Sequence, residues 1–205
     1  MSGEVCQRKA ERGCPQGGIL SPVLWNLLVN DLLNSGRVGT AIEIYCFADD
    51  LLIIANGKVI DIVRGNIQDA LRSLARWSQE RYLKFSAHKT NAMLWCRKRR
   101  VDKPTLYLNG EEIKWVKSFK YLGVTIDEKL NWKEHIERTG KKTMNALMQC
   151  RKVIGSNWGL TPKIMRWIYE AIIRPVMEYG SIVWHHALVT QTKLQRLQVV
   201  QSLAM

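Results

Sequence analysis

Two adjacent aspartates interrupt what otherwise reads as one apolar run, Ile42-Glu43-Ile44-Tyr45-Cys46-Phe47-Ala48-Asp49-Asp50-Leu51-Leu52-Ile53-Ile54-Ala55. Each flank is rich in Ile, Leu, Tyr and Phe, which suit strands, and Asp suits a tight turn, so the stretch predicts a hairpin with carboxylates at its tip. Neighbouring carboxylates repel one another, and a pair of them backed by apolar residues calls for a compensating cation; hard oxygen donors favour Mg²⁺. An ordinary polar turn is the competing reading. The rest of the chain has to decide between them.

Charge narrows the field. Thirty-one Lys and Arg against eighteen Asp and Glu give +13 and a pI near 9.7, the electrostatic footprint of a nucleic-acid binder, with a membrane surface or an acidic protein as the other partners that charge alone allows. The 205 residues, 46% of them hydrophobic, are enough for one large domain or two small ones with a real core. No apolar run has the length of a transmembrane helix and the first residues carry no signal-peptide core, so a soluble intracellular protein is expected. The five cysteines, Cys6, Cys14, Cys46, Cys96 and Cys150, are odd in number and widely spaced, which predicts reduced thiols. No Cys or His pair has zinc-finger spacing.

Along the chain, Gly17-Gly18 removes side chains from a turn where a phosphate or base could approach the backbone. Ser21-Pro22 then opens a helix in which Leu24, Leu27, Leu28 and Asp31 fall on neighbouring faces, so it is expected to be mostly buried and to end at Gly36 and Gly39. Residues 60–82 carry a helical stripe, Val63, Ile67, Leu71 and Leu74, with Arg64, Asp69, Arg72 and Arg76 off it. Extended segments are expected at 83–86 and 92–96, around a loop bearing His88, Lys89 and Thr90, and the block Arg97-Lys98-Arg99-Arg100 reads as solvated surface. Asn109-Gly110 signals a hairpin and residues 119–126 a further extended piece. Thereafter the texture is helical. A stripe of Trp132, Ile136, Met144, Leu147 and Met148 spans 131–154 and is broken at Gly155-Ser156-Asn157. A helix after Thr161-Pro162 turns Ile164, Trp167, Ile168, Ala171 and Ile172 inward and is interrupted by Pro175; Leu194, Leu197, Val200 and Leu203 suggest a last helix. The expected class is α+β for residues 1–128, followed by an all-helical part, 129–205.

Four motifs now stand in order: Gly13-Cys14-Pro15-Gln16-Gly17-Gly18-Ile19-Leu20-Ser21-Pro22, Phe47-Ala48-Asp49-Asp50, Lys89-Thr90 and Tyr121-Leu122-Gly123-Val124. Together they resemble the reverse transcriptases of non-LTR (LINE-type) retrotransposons. The resemblance extends through Arg174-Pro175-Val176-Met177-Glu178-Tyr179-Gly180-Ser181 to Leu194-Gln195-Arg196, and so covers essentially the whole chain.

What the resemblance implies is an incomplete polymerase palm, a small antiparallel sheet with covering helices, followed by a helical thumb and the start of a connection. Gln16, Gly17, Gly18 and Phe47 would line the incoming nucleotide and template. Asp49 and Asp50 would be the catalytic, metal-binding pair, and Lys89 would assist proton transfer to the pyrophosphate leaving group. Tyr121, Leu122 and Gly123 would grip the primer, within a hairpin over residues 119–126. The implied cofactor is Mg²⁺, two ions in the complete enzyme, with Mn²⁺ as the alternative. The implied partners are an RNA template, a DNA primer and deoxynucleoside triphosphates, with the nucleus as the place of integration. The family's first catalytic aspartate lies on a strand upstream of the Gln-Gly-Gly loop, and residues 1–12 hold no Asp. The chain is therefore expected to be inactive alone and to need an N-terminal part of the same polyprotein. A non-catalytic or domesticated nucleic-acid-binding remnant and a mobile-intron maturase-type enzyme are the alternatives; Ala48 in place of Gly counts against an RNA-dependent RNA polymerase.

Overall fold

The computed structural model describes residues 17–35, 41–96, 101–152 and 161–189, together with 195, 197–199, 201 and 202. The expectations at Gly36, Gly39, residues 97–100, Gly155-Ser156-Asn157, Leu194, Val200 and Leu203 lie outside these. The contacts divide the chain into two compact units: one runs to Ala92 and resumes through Trp115, the other takes residues 93–97 and everything from Val116.

In the first unit, helix α1 (Ser21–Ser35) leads to strands β1 (Ile42–Phe47) and β2 (Asp50–Ala55). These pair antiparallel from Ile42↔Ala55 to Phe47↔Asp50, leaving Ala48 and Asp49 as a two-residue turn. The predicted hairpin is there, with one refinement: Asp49 sits in the turn while Asp50 is the first residue of β2. Helix α2 (Ile60–Glu80) follows and buries two faces. Leu74 and Trp77 pack with Leu32 of α1 and Leu51 and Ile53 of β2. Leu71 packs with Ala87, Leu106, Leu108 and Ile113. Each such side chain stabilises the unit by about 1.5–3 kcal/mol relative to exposure.

Helix α1 is not mostly buried, as its leucines led one to expect. Val29 and Leu32 are buried, but Leu24 is 52% and Leu27 64% exposed. Its rotation is set instead by a polar clamp: the Asp31 carboxylate accepts the Trp77 indole N–H at 3.2 Å and pairs with Arg81, whose guanidinium lies over the Trp77 ring. That clamp turns the Leu28 and Leu32 side toward α2 and leaves the Leu24 and Leu27 side outward.

Beyond α2 the strands pair two by two among the described residues. Strands β4 (Tyr107–Leu108) and β5 (Glu111–Glu112) form the hairpin that Asn109-Gly110 announces, both turn residues having positive φ. β3 (Asn91–Ala92) pairs parallel to β6 (Lys114–Trp115), a departure from a purely antiparallel sheet that the long connection between them permits.

In the second unit, residues 119–126 are not a single extended run but the hairpin that the family resemblance implies. They fold back at Leu122-Gly123 into the hairpin β7 (Ser118–Tyr121) and β8 (Val124–Asp127). Val124 and Ile126 pack against Trp132, Ile136, Met177 and Trp184. This packing puts the hairpin with the helices, so the compact unit begins ahead of the compositional change near residue 128. Helix α3 (Lys133–Arg151) buries Ile136 and Leu147, but Met148 is 44% exposed. Helix α4 (Pro162–Ile168) is capped by the Thr161 hydroxyl, which accepts the Ile164 N–H.

The inward face expected after α4 is displaced. Ile164, Trp167, Ala171 and Ile172 are exposed, and Ile173 is buried against Leu147. Residues Tyr169–Ile173 form a π-helical turn, whose wider i→i+5 spacing carries the buried position one residue past Ile172. The same widening lets Pro175 enter the first turn of α5 (Arg174–Glu178) without ending the helical path. Helix α6 (Ser181–Trp184) and a 3₁₀ turn (His185–Val189) follow, and Leu197, among the later helical residues, is buried with Trp132, Ile136, Met177 and Trp184.

Candidate functional site

Strand β1 alternates its side chains: Ile42, Ile44 and Cys46 turn inward or sideways, whereas Glu43, Tyr45 and Phe47 are exposed. Phe47 pairs directly with Asp50, so an aromatic ring 63% exposed and a carboxylate share the open face next to the turn. Asp49 and Asp50 are both exposed.

Their backbone is held from behind. Ala48 adopts φ 52°, the positive φ that a two-residue hairpin turn demands and that a Cβ disfavours. Its carbonyl oxygen accepts the Trp25 indole N–H at 2.8 Å and the Cys46 thiol at 3.3 Å. Burial, and then the charges of Asp49 and Asp50, push the Cys46 thiol pKa up, so this cysteine stays a protonated donor. Trp25 sits one turn into α1, and the Ser21 N–H at the head of that helix donates to Gly18 O at 3.2 Å. Helix α1 thus links the glycine turn to the aspartate turn. Gly17 has φ 84° and nothing within 4 Å of where a Cβ would be, an open backbone of the kind expected there. Gln16 lies outside the described residues.

The remaining expected site residues are spread out. Lys89 closes a short 3₁₀ turn (Ala87–Lys89) in the same unit as the aspartates, its side chain exposed. Tyr121, Leu122 and Gly123 belong to the second unit, where the tip of the β7–β8 hairpin is pinned from the helices. The Tyr179 hydroxyl donates to Leu122 O at 2.9 Å, and a Cβ on Gly123 would come within 2.9 Å of the Tyr179 ring.

For a cation, the donor chemistry at the turn fits: two adjacent carboxylates present hard oxygens to solvent. Among the described residues no third Asp, Glu, His or Cys joins them in a group that could hold a metal ion. No described helix is long and apolar enough to cross a membrane.

Two features escaped the sequence reading. Trp25 carried no local signal, because its partner lies 23 residues away. His135 is buried in the second unit, its Nδ1 accepting the Thr125 N–H at 3.2 Å and its ring edge-on to Trp184 at 5.3 Å.

Comparison with known proteins adds family to geometry. The family model for reverse transcriptase (RNA-dependent DNA polymerase) matches residues 1–126. A Retrovirus-related Pol polyprotein from type-1 retrotransposable element R1 of Nasonia vitripennis is 32% identical over 200 residues, covering 94% of this chain and 58% of the relative. An R1 Pol polyprotein of Bradysia coprophila is 27% identical over 206 residues, 97% of this chain and 20% of that protein. The RNA-directed DNA polymerase from mobile element jockey of Drosophila melanogaster is 25% identical over 194 residues, 93% of this chain and 21% of that protein. The chain therefore spans between a fifth and three fifths of the length of these relatives. No solved structure matches.

Proposed function

The chain belongs to the reverse transcriptase family, among the non-LTR retrotransposon enzymes, and from that premise we propose that it is the palm and thumb portion of an RNA-directed DNA polymerase. The observation that carries the reading is the pair of exposed carboxylates on a turn whose backbone is fixed by Trp25. In the longer protein this portion works with a further segment of the same polyprotein, on an RNA template, a DNA primer and deoxynucleoside triphosphates, in the nucleus where the chromosomal target lies.

Asp49 and Asp50 would hold Mg²⁺, or Mn²⁺ in its place, two ions in the complete enzyme, which would supply stabilisation of the attacking and leaving oxygens of nucleotidyl transfer. The chain's own residues do the rest. The open backbone at Gly17, next to Gly18 and with Gln16 before it, admits the nucleotide and template. Phe47, beside Asp50, offers a flat apolar surface at the edge of that space. Lys89 protonates the leaving pyrophosphate, and the tip of the β7–β8 hairpin, Tyr121, Leu122 and Gly123, grips the primer.

The test uses the longer protein that contains this chain. D49N should abolish primer extension on an RNA template while salt-sensitive primer–template binding persists. Undiminished synthesis by D49N would remove Asp49 from the chemistry, and no synthesis by the wild type would favour a binding remnant.

A further inference from the structure

We propose that a basic groove between α2 and the β4–β5 turn is a binding track for single-stranded polynucleotide, separate from the aspartate turn. The groove encloses roughly 580 Å³, and its wall includes Arg64, Gln68, Arg72, Arg76, Tyr107 and Asn109. No residue of β1, β2 or their turn lines it.

Its chemistry comes from helical spacing. Arg64, Gln68, Arg72 and Arg76 recur every fourth residue, so they form one slowly turning row along about 18 Å of α2. All three arginines are exposed, while Leu71 and Ala75 beneath them pack into the core and fix the helix. The opposite wall is preformed too. Gln68 makes a two-way pairing with the Tyr107 backbone, its amide donating to Tyr107 O and its carbonyl accepting Tyr107 N–H, each at 2.9 Å. Arg64 adds a bond from Nε to Thr105 O at 3.4 Å. With the backbone of β4 so held, the Tyr107 ring is left 47% exposed at the groove's edge.

A row of guanidiniums beside one available aromatic face is what a single strand needs: phosphates along the arginines, a base on the ring. The occupant must be anionic, and the chain's +13 draws polyanions generally. Tyr107 is what favours a polynucleotide over an acidic peptide. Asp69 pairs with Arg72 at 3.0 Å, but both are well exposed, and such pairs yield readily to a phosphate.

The experiment measures binding of a short labelled oligouridylate to the 205-residue chain across a salt series, with a blunt RNA–DNA duplex as reference. R72Q/R76Q should weaken the single strand about tenfold or more and make the log–log salt slope shallower by about 1.4, two phosphate contacts at the single-strand value. R72K/R76K should restore most of the affinity. Y107A should cost at least about fivefold, the loss of one stacked base. Thermal unfolding of each variant checks that the fold is intact. Wild-type affinity in R72Q/R76Q, or an equal loss for the blunt duplex, overturns the proposal. So does wild-type affinity in Y107A; displacement of the oligonucleotide by oligoglutamate would then mark the groove as an acidic-peptide site. No synthesis is read, so the outcome is independent of polymerase activity.

Discussion

The indole N–H of Trp25 donates to the carbonyl oxygen of Ala48 at 2.8 Å, joining the helix that follows the glycine turn to the one residue of the aspartate turn with positive φ. A strained backbone persists where its surroundings over-determine it, and here the donor is a rigid ring on a helix. W25F removes the donor and keeps an aromatic, smaller ring, and should cost about 0.5–1.5 kcal/mol by urea unfolding. The Ala48 and Asp49 amides should exchange hydrogen faster. A48G relieves the positive φ and should raise stability by about 0.5–1 kcal/mol, whereas A48V should lower it.

His135 ties stability to pH. Burial first, and the Arg138 charge second, hold its pKa below the ordinary histidine value. Below the unfolded pKa of about 6.5 the unfolded chain binds a proton that the folded one resists, so stability rises with pH toward that value and levels off above it. In urea titrations, the midpoint should fall as pH is lowered through 6 and below, and H135Q should flatten that dependence. H135A strands the buried Thr125 N–H that Nδ1 accepts and should cost about 1–3 kcal/mol at neutral pH.

At the tip of the β7–β8 hairpin, Gly123 has φ 85° and lies against the Tyr179 ring. G123A meets both the strained φ and a 2.9 Å approach, and should destabilise by about 1–3 kcal/mol. Y179F loses only the bond to Leu122 O and should cost about 1 kcal/mol. Unfolding of the second unit, followed by tryptophan fluorescence, separates the two.

How far the sequence could be read depended on how local the cause was. The aspartate hairpin, the Asn109-Gly110 turn and the extent of α2 follow from neighbouring residues, and the structure has all three. The exposure of Leu24 and Leu27 does not: the Asp31 clamp to Trp77 and Arg81 spans 46 and 50 residues. Periodicity likewise assumed an α-helical turn at Ile172, and the π-helical turn moved the buried position to Ile173. For the candidate site, residue types singled out Asp49 and Asp50, while the bond from Trp25 to the turn between the strands is a tertiary fact.

The junction after β8 yields a fourth prediction. The Asp127 carboxylate accepts the N–H groups of Lys129, Asn131 and Trp132 at 3.1, 3.2 and 2.8 Å. Leu130 and Trp132 within that loop both have positive φ, 50° and 61°. D127A removes the acceptor of all three bonds and should cost about 2 kcal/mol by urea unfolding, with D127N recovering part.

That one carboxylate also decides what kind of mechanical object the hairpin is. A loop crossing from a ribbon to a helix is ordinarily a hinge. With three of its amides gathered onto Asp127 and its end capped by the buried Trp132, this one is a welded corner. A load applied at Leu122 and Gly123 would pass to α3 as along a lever arm, with little taken up at the bend.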